Sequence, residues 1–137
     1  MGISYDTIAY GVKNALEKGQ HDLVEQLLQR ANPEQAKVIR HVKDWWELRK
    51  QLPNAEQHKE EINRMVKEGQ IVAVITWHDI TIRGNTYPVK EKLKQLGFQW
   101  NPSCYEWIKC VEWYGKPTVD SINLEELRQI TPHIYAL

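Results

Sequence analysis

Ile80-Thr-Ile-Arg-Gly-Asn-Thr-Tyr-Pro-Val-Lys-Glu-Lys-Leu-Lys-Gln-Leu-Gly-Phe-Gln-Trp-Asn-Pro-Ser-Cys-Tyr-Glu-Trp-Ile-Lys109 carries strand, turn and helix signals in unbroken succession. Ile80 and Ile82 alternate with Thr81 and Arg83, the period-2 pattern of a half-buried strand, and Gly84-Asn85 closes it with residues that tolerate positive φ. Pro88 suits a first helical turn, where its missing N–H would be unpaired anyway. Val89, Leu93 and Leu96 then fall on one helical face, and Gly97 supplies a left-handed stop. Phe98 and Trp100 alternate around Gln99, Asn101-Pro102-Ser103 reads as a turn, and Tyr105, Trp107 and Lys109 alternate with Glu106 and Ile108. The expected order is strand, helix, hairpin.

This order, with Gly-Asn-Thr-Tyr-Pro at residues 84–88, Leu-Gly at 96–97, Trp-Asn-Pro at 100–102 and Trp107, resembles a small domain that recurs in phage, plasmid and bacterial DNA-processing proteins. It is similar in outline to the HepA-related (HARP) domain of annealing helicases. Gly97, Trp100, Asn101, Pro102 and Trp107 carry that pattern, and the likeness spans residues 80–109. The turn between the tryptophans holds Ser103, Cys104 and Tyr105 where the family usually has basic residues. The resemblance implies a fold more than an activity.

Upstream, residues 1–69 read as helical. Asp6 caps a first helix to Lys18 with Ile8, Val12, Ala15 and Leu16 at core spacing, and Gly19 ends it. A second, from His21 or Asp22 to Ala31, carries Leu23, Leu27 and Leu28. Asn32-Pro33-Glu34 is a strong third start, for a helix that carries Ala36, Ile39, Val42 and Trp46 before Pro53 terminates it. A fourth runs from about Ala55 to Glu68 with Ile62, Met65 and Val66. Ile71 to Trp77 then switches to a β-branched run, and His78-Asp79 reads as a two-residue turn into the next strand. Downstream, Tyr114 to Pro117 reads as a turn, and Asn123-Leu-Glu-Glu126 opens a last helix that Thr131-Pro132 ends. The tail His133 to Leu137 is apolar enough to dock. The expected class is α+β: an N-terminal helical region, 1–69, packed on a small antiparallel sheet of about four strands with one crossing helix, in a domain of 70–137.

The 137 residues hold 18 basic and 18 acidic side chains, a formal net charge of zero, with 42% apolar and 26% charged composition. These are the proportions of a globular protein with a real core, neither disordered nor membrane-embedded. The longest apolar run, Ile71 to Ile75, is far too short to span a bilayer. The N-terminus lacks a basic and apolar leader pattern, so a cytoplasmic location is expected. Cys104 and Cys110 on one strand would lie about 20 Å apart, beyond disulfide reach, and are expected as reduced thiols.

Zero net charge argues against coating nucleic acid through bulk positive potential, so any such binding is local. Residues 81–109 contain Arg83, Lys90, Lys92, Lys94 and Lys109 against Glu91 and Glu106, and residues 37–50 contain Lys37, Arg40, Lys43, Arg49 and Lys50 against Asp44 and Glu47. Tryptophan is abundant, with six copies, while phenylalanine occurs once. Trp and Tyr present faces on which an unpaired base stacks, worth roughly 1–3 kcal/mol per base. Trp100, Trp107 and Trp113 with Arg83, Lys90, Lys94 and Lys109 therefore form the candidate nucleic-acid surface. The competing reading makes these tryptophans core pieces and the Lys90–Lys94 row a solvated helix face.

Trp45 and Trp46 are helical neighbours about 100° apart, so one of them is expected at the surface or under a partner. With Arg49 beside them they have the composition of a protein-binding hot spot. No phosphate loop, nucleophile turn or metal-ligand spacing occurs, and neither an enzyme nor a cofactor or small-molecule substrate is expected. Two functions remain open: a non-enzymatic accessory of DNA metabolism that binds single-stranded or forked DNA, or a phage-type regulator or inhibitor that docks on a larger nucleic-acid-processing enzyme.

Overall fold

The computed structural model describes residues 5–77, 79–110 and 123–137, without the Cys110 side chain. The chain divides into two units. Among the described residues, one comprises 5–47 and the other 48–110 with 123–137.

The first unit is helical: α1 (Tyr5–Glu17), α2 (His21–Arg30) and the body of α3 (Pro33–Gln51). Gly19, at φ +74°, ends α1, where its own N–H and that of Gln20 bond back to Leu16 and Ala15, as a left-handed C-terminal cap requires. Asn32 opens α3 through a reciprocal box: its Oδ1 accepts from the Gln35 amide at 2.8 Å, and Gln35 Oε1 accepts from the Asn32 amide at 3.1 Å. Val12, Ala15 and Leu16 of α1, Val24 of α2 and Ile39 and Val42 of α3 are buried. Side chains also tie the helices, through a hydrogen bond from Tyr5 to Glu34 and an ion pair of Lys43 with Glu25.

The second unit is built on a sheet of five strands among the described residues: β1 (Val72–Ile75), β2 (Asp79–Arg83), β3 (Gln99–Asn101), β4 (Glu106–Cys110) and β5 (Ile134–Ala136), in the order β3-β4-β2-β1-β5. Three pairings are antiparallel, and β5 runs parallel to β1. The α+β class holds, with one strand more than expected and a mixed sheet. The docked tail is that strand: Ala73 N–H bonds His133 O, and Leu137 N–H bonds Ile75 O. On its outer side β5 exchanges bonds with Pro53 and Ala55.

Register divides the side chains of the sheet. Val72, Val74, Thr81, Arg83, Glu106, Ile108 and Tyr135 take one face. There α4 (Lys59–Lys67) lays Ile62, Met65 and Val66 against Val72, Val74 and Tyr135, with Ala55 in the same cluster. This packing puts α4 in the sheet unit, so the expected boundary at 69 falls inside that unit. The helix also starts later than its pattern suggests, because Asn54 Oδ1 captures the amides of Glu56 and Gln57 at 2.9 and 3.0 Å and holds residues 54–58 as a turn. Ala73, Ile75, Ile80, Ile82, Trp100, Trp107, Lys109 and Ile134 take the opposite face. Asp79, expected in a turn with His78, already belongs to β2, and the Thr76 hydroxyl lies 3.0 Å from its amide and 3.1 Å from its carboxylate; His78 lies outside the described residues. The final helix, α6 (Leu124–Ile130), is capped by Asn123, whose side chain accepts from the Glu126 amide.

Candidate functional site

β2 ends at Arg83, and the chain reverses at Gly84, whose φ is +110°. A Cβ on Gly84 would stand 2.0 Å from the Gln70 carbonyl oxygen, so only glycine allows this approach. Thr86 N–H bonds Gly84 O at 3.0 Å, and a single 3₁₀ turn, Tyr87–Val89, leads into α5 (Lys90–Gln95). Pro88 sits in the first turn, as its fixed φ favours. Gly97, at φ +93°, ends the helix, and Leu93 is wholly buried. This path brings the start of α5 over the Trp100–Trp107 face of the sheet.

Trp100 and Trp107 are direct cross-strand partners in β3 and β4, with ring centroids 5.6 Å apart and planes inclined by 58°. Trp107 is buried, and its indole N–H donates to the Thr86 hydroxyl at 2.9 Å. The bond locks the indole and satisfies a polar group that would otherwise cost about 1–3 kcal/mol to bury. Trp100, at the sheet edge, is 46% exposed, and Tyr87 is 74% exposed. The Lys90 ammonium stands over the Tyr87 ring, 4.2 Å from its centroid, within cation–π range. Lys94, one turn along α5, reaches Glu91 at 3.6 Å as an exposed pair, too weak to hold the ammonium against a better partner. Between these groups lies an open cleft of about 490 Å³ floored by Trp107 and walled by Gly84, Asn85, Tyr87, Lys90, Lys94 and Trp100.

Of the residues marked in the sequence, Lys90, Lys94, Trp100 and Trp107 thus meet at one cleft. Lys109 shares the Trp107 face, but its ammonium points toward the Phe98 ring, 6.0 Å from the centroid, and lies against Gly97. Arg83 faces the other way. It stands opposite Glu106, because Ile82 is the partner of Trp107 and neighbours on a strand alternate. Glu106 is held above its usual carboxylate range by burial, with the Asp79 charge adding and the Arg83 guanidinium opposing. Trp113 lies outside the described residues.

Trp45 and Trp46 require a correction. Neither reaches the surface: they are 4% and 7% exposed, with centroids 6.0 Å apart in an edge-on contact. The 100° argument assumes a helix with one narrow buried stripe. α3 instead buries Ala36, Val38, Ile39, His41, Val42, Trp45 and Trp46, one arc wide enough to take in both tryptophans, with Arg40 and Glu47 on its exposed side. Arg49, on its last turn, is exposed.

Three cleft residues carry no signal of their own. Tyr87 and Thr86 read only as turn residues, although the need of a buried indole N–H for an acceptor predicts some hydroxyl or carbonyl near Trp107. Asn85 reads as a positive-φ position, yet Gly84 takes the positive φ and leaves the Asn85 side chain exposed at the cleft rim. Among the described residues no group of three or more His, Cys, Asp or Glu is placed to hold a metal ion, and no helix is long and apolar enough to cross a membrane. Neither a protein-family model, nor a curated protein, nor a solved structure matches this chain.

Proposed function

We propose that the protein is a non-enzymatic accessory of DNA metabolism that binds single-stranded or forked DNA locally, at the cleft between α5 and the β3–β4 hairpin. One observation carries the reading: a half-exposed indole and two lysines converge on the same open cavity. An unpaired base stacks on Trp100, which its neighbour Trp107 props from behind, and Lys90 and Lys94 meet the flanking phosphates. Zero net charge confines the attraction to this cleft. The resemblance of residues 80–109 to a domain of DNA-processing proteins points the same way. The rival reading, docking through Trp45 or Trp46, has no exposed tryptophan on α3 to rest on.

The test is an anisotropy titration of labelled single-stranded and forked oligonucleotides at about 50 and about 200 mM salt. Micromolar binding at the lower salt, weakened several-fold at the higher and abolished in the Lys90→Glu, Lys94→Glu double variant, is the expected result. No binding at the lower salt, or binding indifferent to the double variant, would overturn the proposal.

A further inference from the structure

Resting on that reading, we infer that Tyr87 is a second stacking platform of the cleft: its ring, covered by Lys90 on one face, receives an unpaired base on the other.

The inference starts from how Tyr87 is held. Its neighbour Thr86 is buried and accepts the indole N–H of Trp107 at 2.9 Å. The Val89 amide closes the turn onto the Thr86 carbonyl at 3.0 Å, and Pro88, between them, has a φ that its own ring fixes. The backbone that carries Tyr87 is thus tied to the floor of the cleft before any ligand arrives. The side chain does the opposite and stays 74% exposed, so burial contributes little to its position. Lys90 orients it instead: three residues on, on the same side of the turn, its ammonium lies 4.2 Å from the ring centroid. A ring so exposed, with a cation over one face, keeps its other face open to solvent.

Trp100 is built on the same plan. Trp107 backs it with ring centroids 5.6 Å apart, it is half exposed, and it lines the same cleft as Tyr87. Each of the two residues therefore offers a ring that is supported on one side and wet on the other, and a wet π-face is what a stacked base covers. A tyrosine has only two χ angles to immobilise, and here the lysine already restricts them. Lys90 keeps hydrogen-bond donors for a phosphate while its charge holds the ring, so it serves both contacts. The ring and not the hydroxyl makes the contact, since stacking needs only the π-face, which phenylalanine also has.

The experiment measures, with the intact protein, the affinity of a labelled oligothymidylate of about 12 nucleotides for the wild type, Tyr87→Phe and Tyr87→Ala at about 50 and about 200 mM salt. Tyr87→Ala is expected to weaken binding about fivefold or more, the lower end of what one stacked base contributes, and by the same factor at both salt concentrations, because no phosphate contact is lost. Tyr87→Phe is expected to stay within about twofold of the wild type. The ring is exposed, so its truncation does not compromise the fold. A loss under about fivefold, an equal loss in Tyr87→Phe, or a loss accompanied by a shallower salt slope, the mark of a ring that only steers Lys90, would overturn the second platform while leaving DNA binding intact. Failure of the wild type to bind at the lower salt would remove the DNA reading itself.

Discussion

At the scale of single residues, two glycines separate conformational need from mere presence. Gly84 combines a φ of +110° with a Cβ position that the Gln70 carbonyl already occupies, whereas nothing lies within 4 Å of the corresponding position at Gly11, inside α1. Gly84→Ala is expected to destabilise by about 3 kcal/mol or more, and Gly11→Ala to stabilise by about 0.5–1 kcal/mol through its helix propensity; urea unfolding of both variants checks the contrast. Glu106 gives a pH-dependent case. Its folded-state pKa is raised, chiefly by burial, so the folded protein binds more protons than the unfolded chain over the window that opens near the ordinary carboxylate pKa and extends upward. Stability contributed by the protonated form is full below that window and is lost as pH rises through it. Glu106→Gln removes this loss. The variant is expected to match the wild type near pH 4 and to exceed it near pH 7 in urea midpoint; a variant weaker than the wild type at pH 7 would mean that the Arg83 attraction outweighs desolvation.

At the scale of elements, the start of α5 is held to the sheet by the bond from Trp107 to Thr86. Trp107→Phe is expected to cost about 2 kcal/mol, and Thr86→Val about as much, because each strands the other's polar group in a buried site; the double variant should lose clearly less than the two together, the signature of direct coupling in a double-mutant cycle. β5 is the second such element. Removing residues 133–137 takes away the backbone bonds to Ala73, Ile75, Pro53 and Ala55 and the buried side chains of Ile134, Tyr135 and Ala136. At about 1.5–3 kcal/mol for each large apolar side chain, the loss approaches the whole stability of a small domain, and the truncated protein is expected to lose its cooperative thermal transition in calorimetry. These two elements also mark the limit of what the sequence reveals. Helices announce themselves by caps and period: Asn32-Pro33, Gly19 and Gly97 locate ends to within a residue or two. A strand of three residues such as β5 has too few positions for alternation, and its parallel partner lies about sixty residues upstream in β1, a pairing that no local pattern encodes. The α4 start is missed for the opposite reason, since Asn54 competes for backbone amides that the apolar period assigns to a helix.

At the scale of the molecule, zero net charge makes location, not total, the determinant of any interaction with DNA. Lys18→Glu with Lys37→Glu, in the helical unit, changes net charge by as much as Lys90→Glu with Lys94→Glu. The former pair is expected to alter oligonucleotide affinity less than twofold and the latter to abolish it, by the same anisotropy titration. Half the candidate site was legible in the residues. The lysines of α5 and the two tryptophans of the hairpin were marked by type and spacing, but strand parity alone does not say which face α5 covers. The pairing of Ile82 with Trp107 sends Arg83 to the other face, a register that the alternation within one strand does not give, and burial of both Trp45 and Trp46 was hidden because the width of the buried arc of α3 depends on what packs around it. The distribution of tryptophans has an optical consequence. Trp45, Trp46, Trp77 and Trp107 are buried and Trp100 is half exposed, so among the described residues one indole alone emits from a water-relaxed, red-shifted environment open to collisional quenchers. In a Trp113→Phe background, which leaves only the described indoles, acrylamide should extinguish a small long-wavelength fraction of the emission and leave a blue-shifted remainder, and the protein thus carries, at the mouth of its cleft, its own reporter of occupancy.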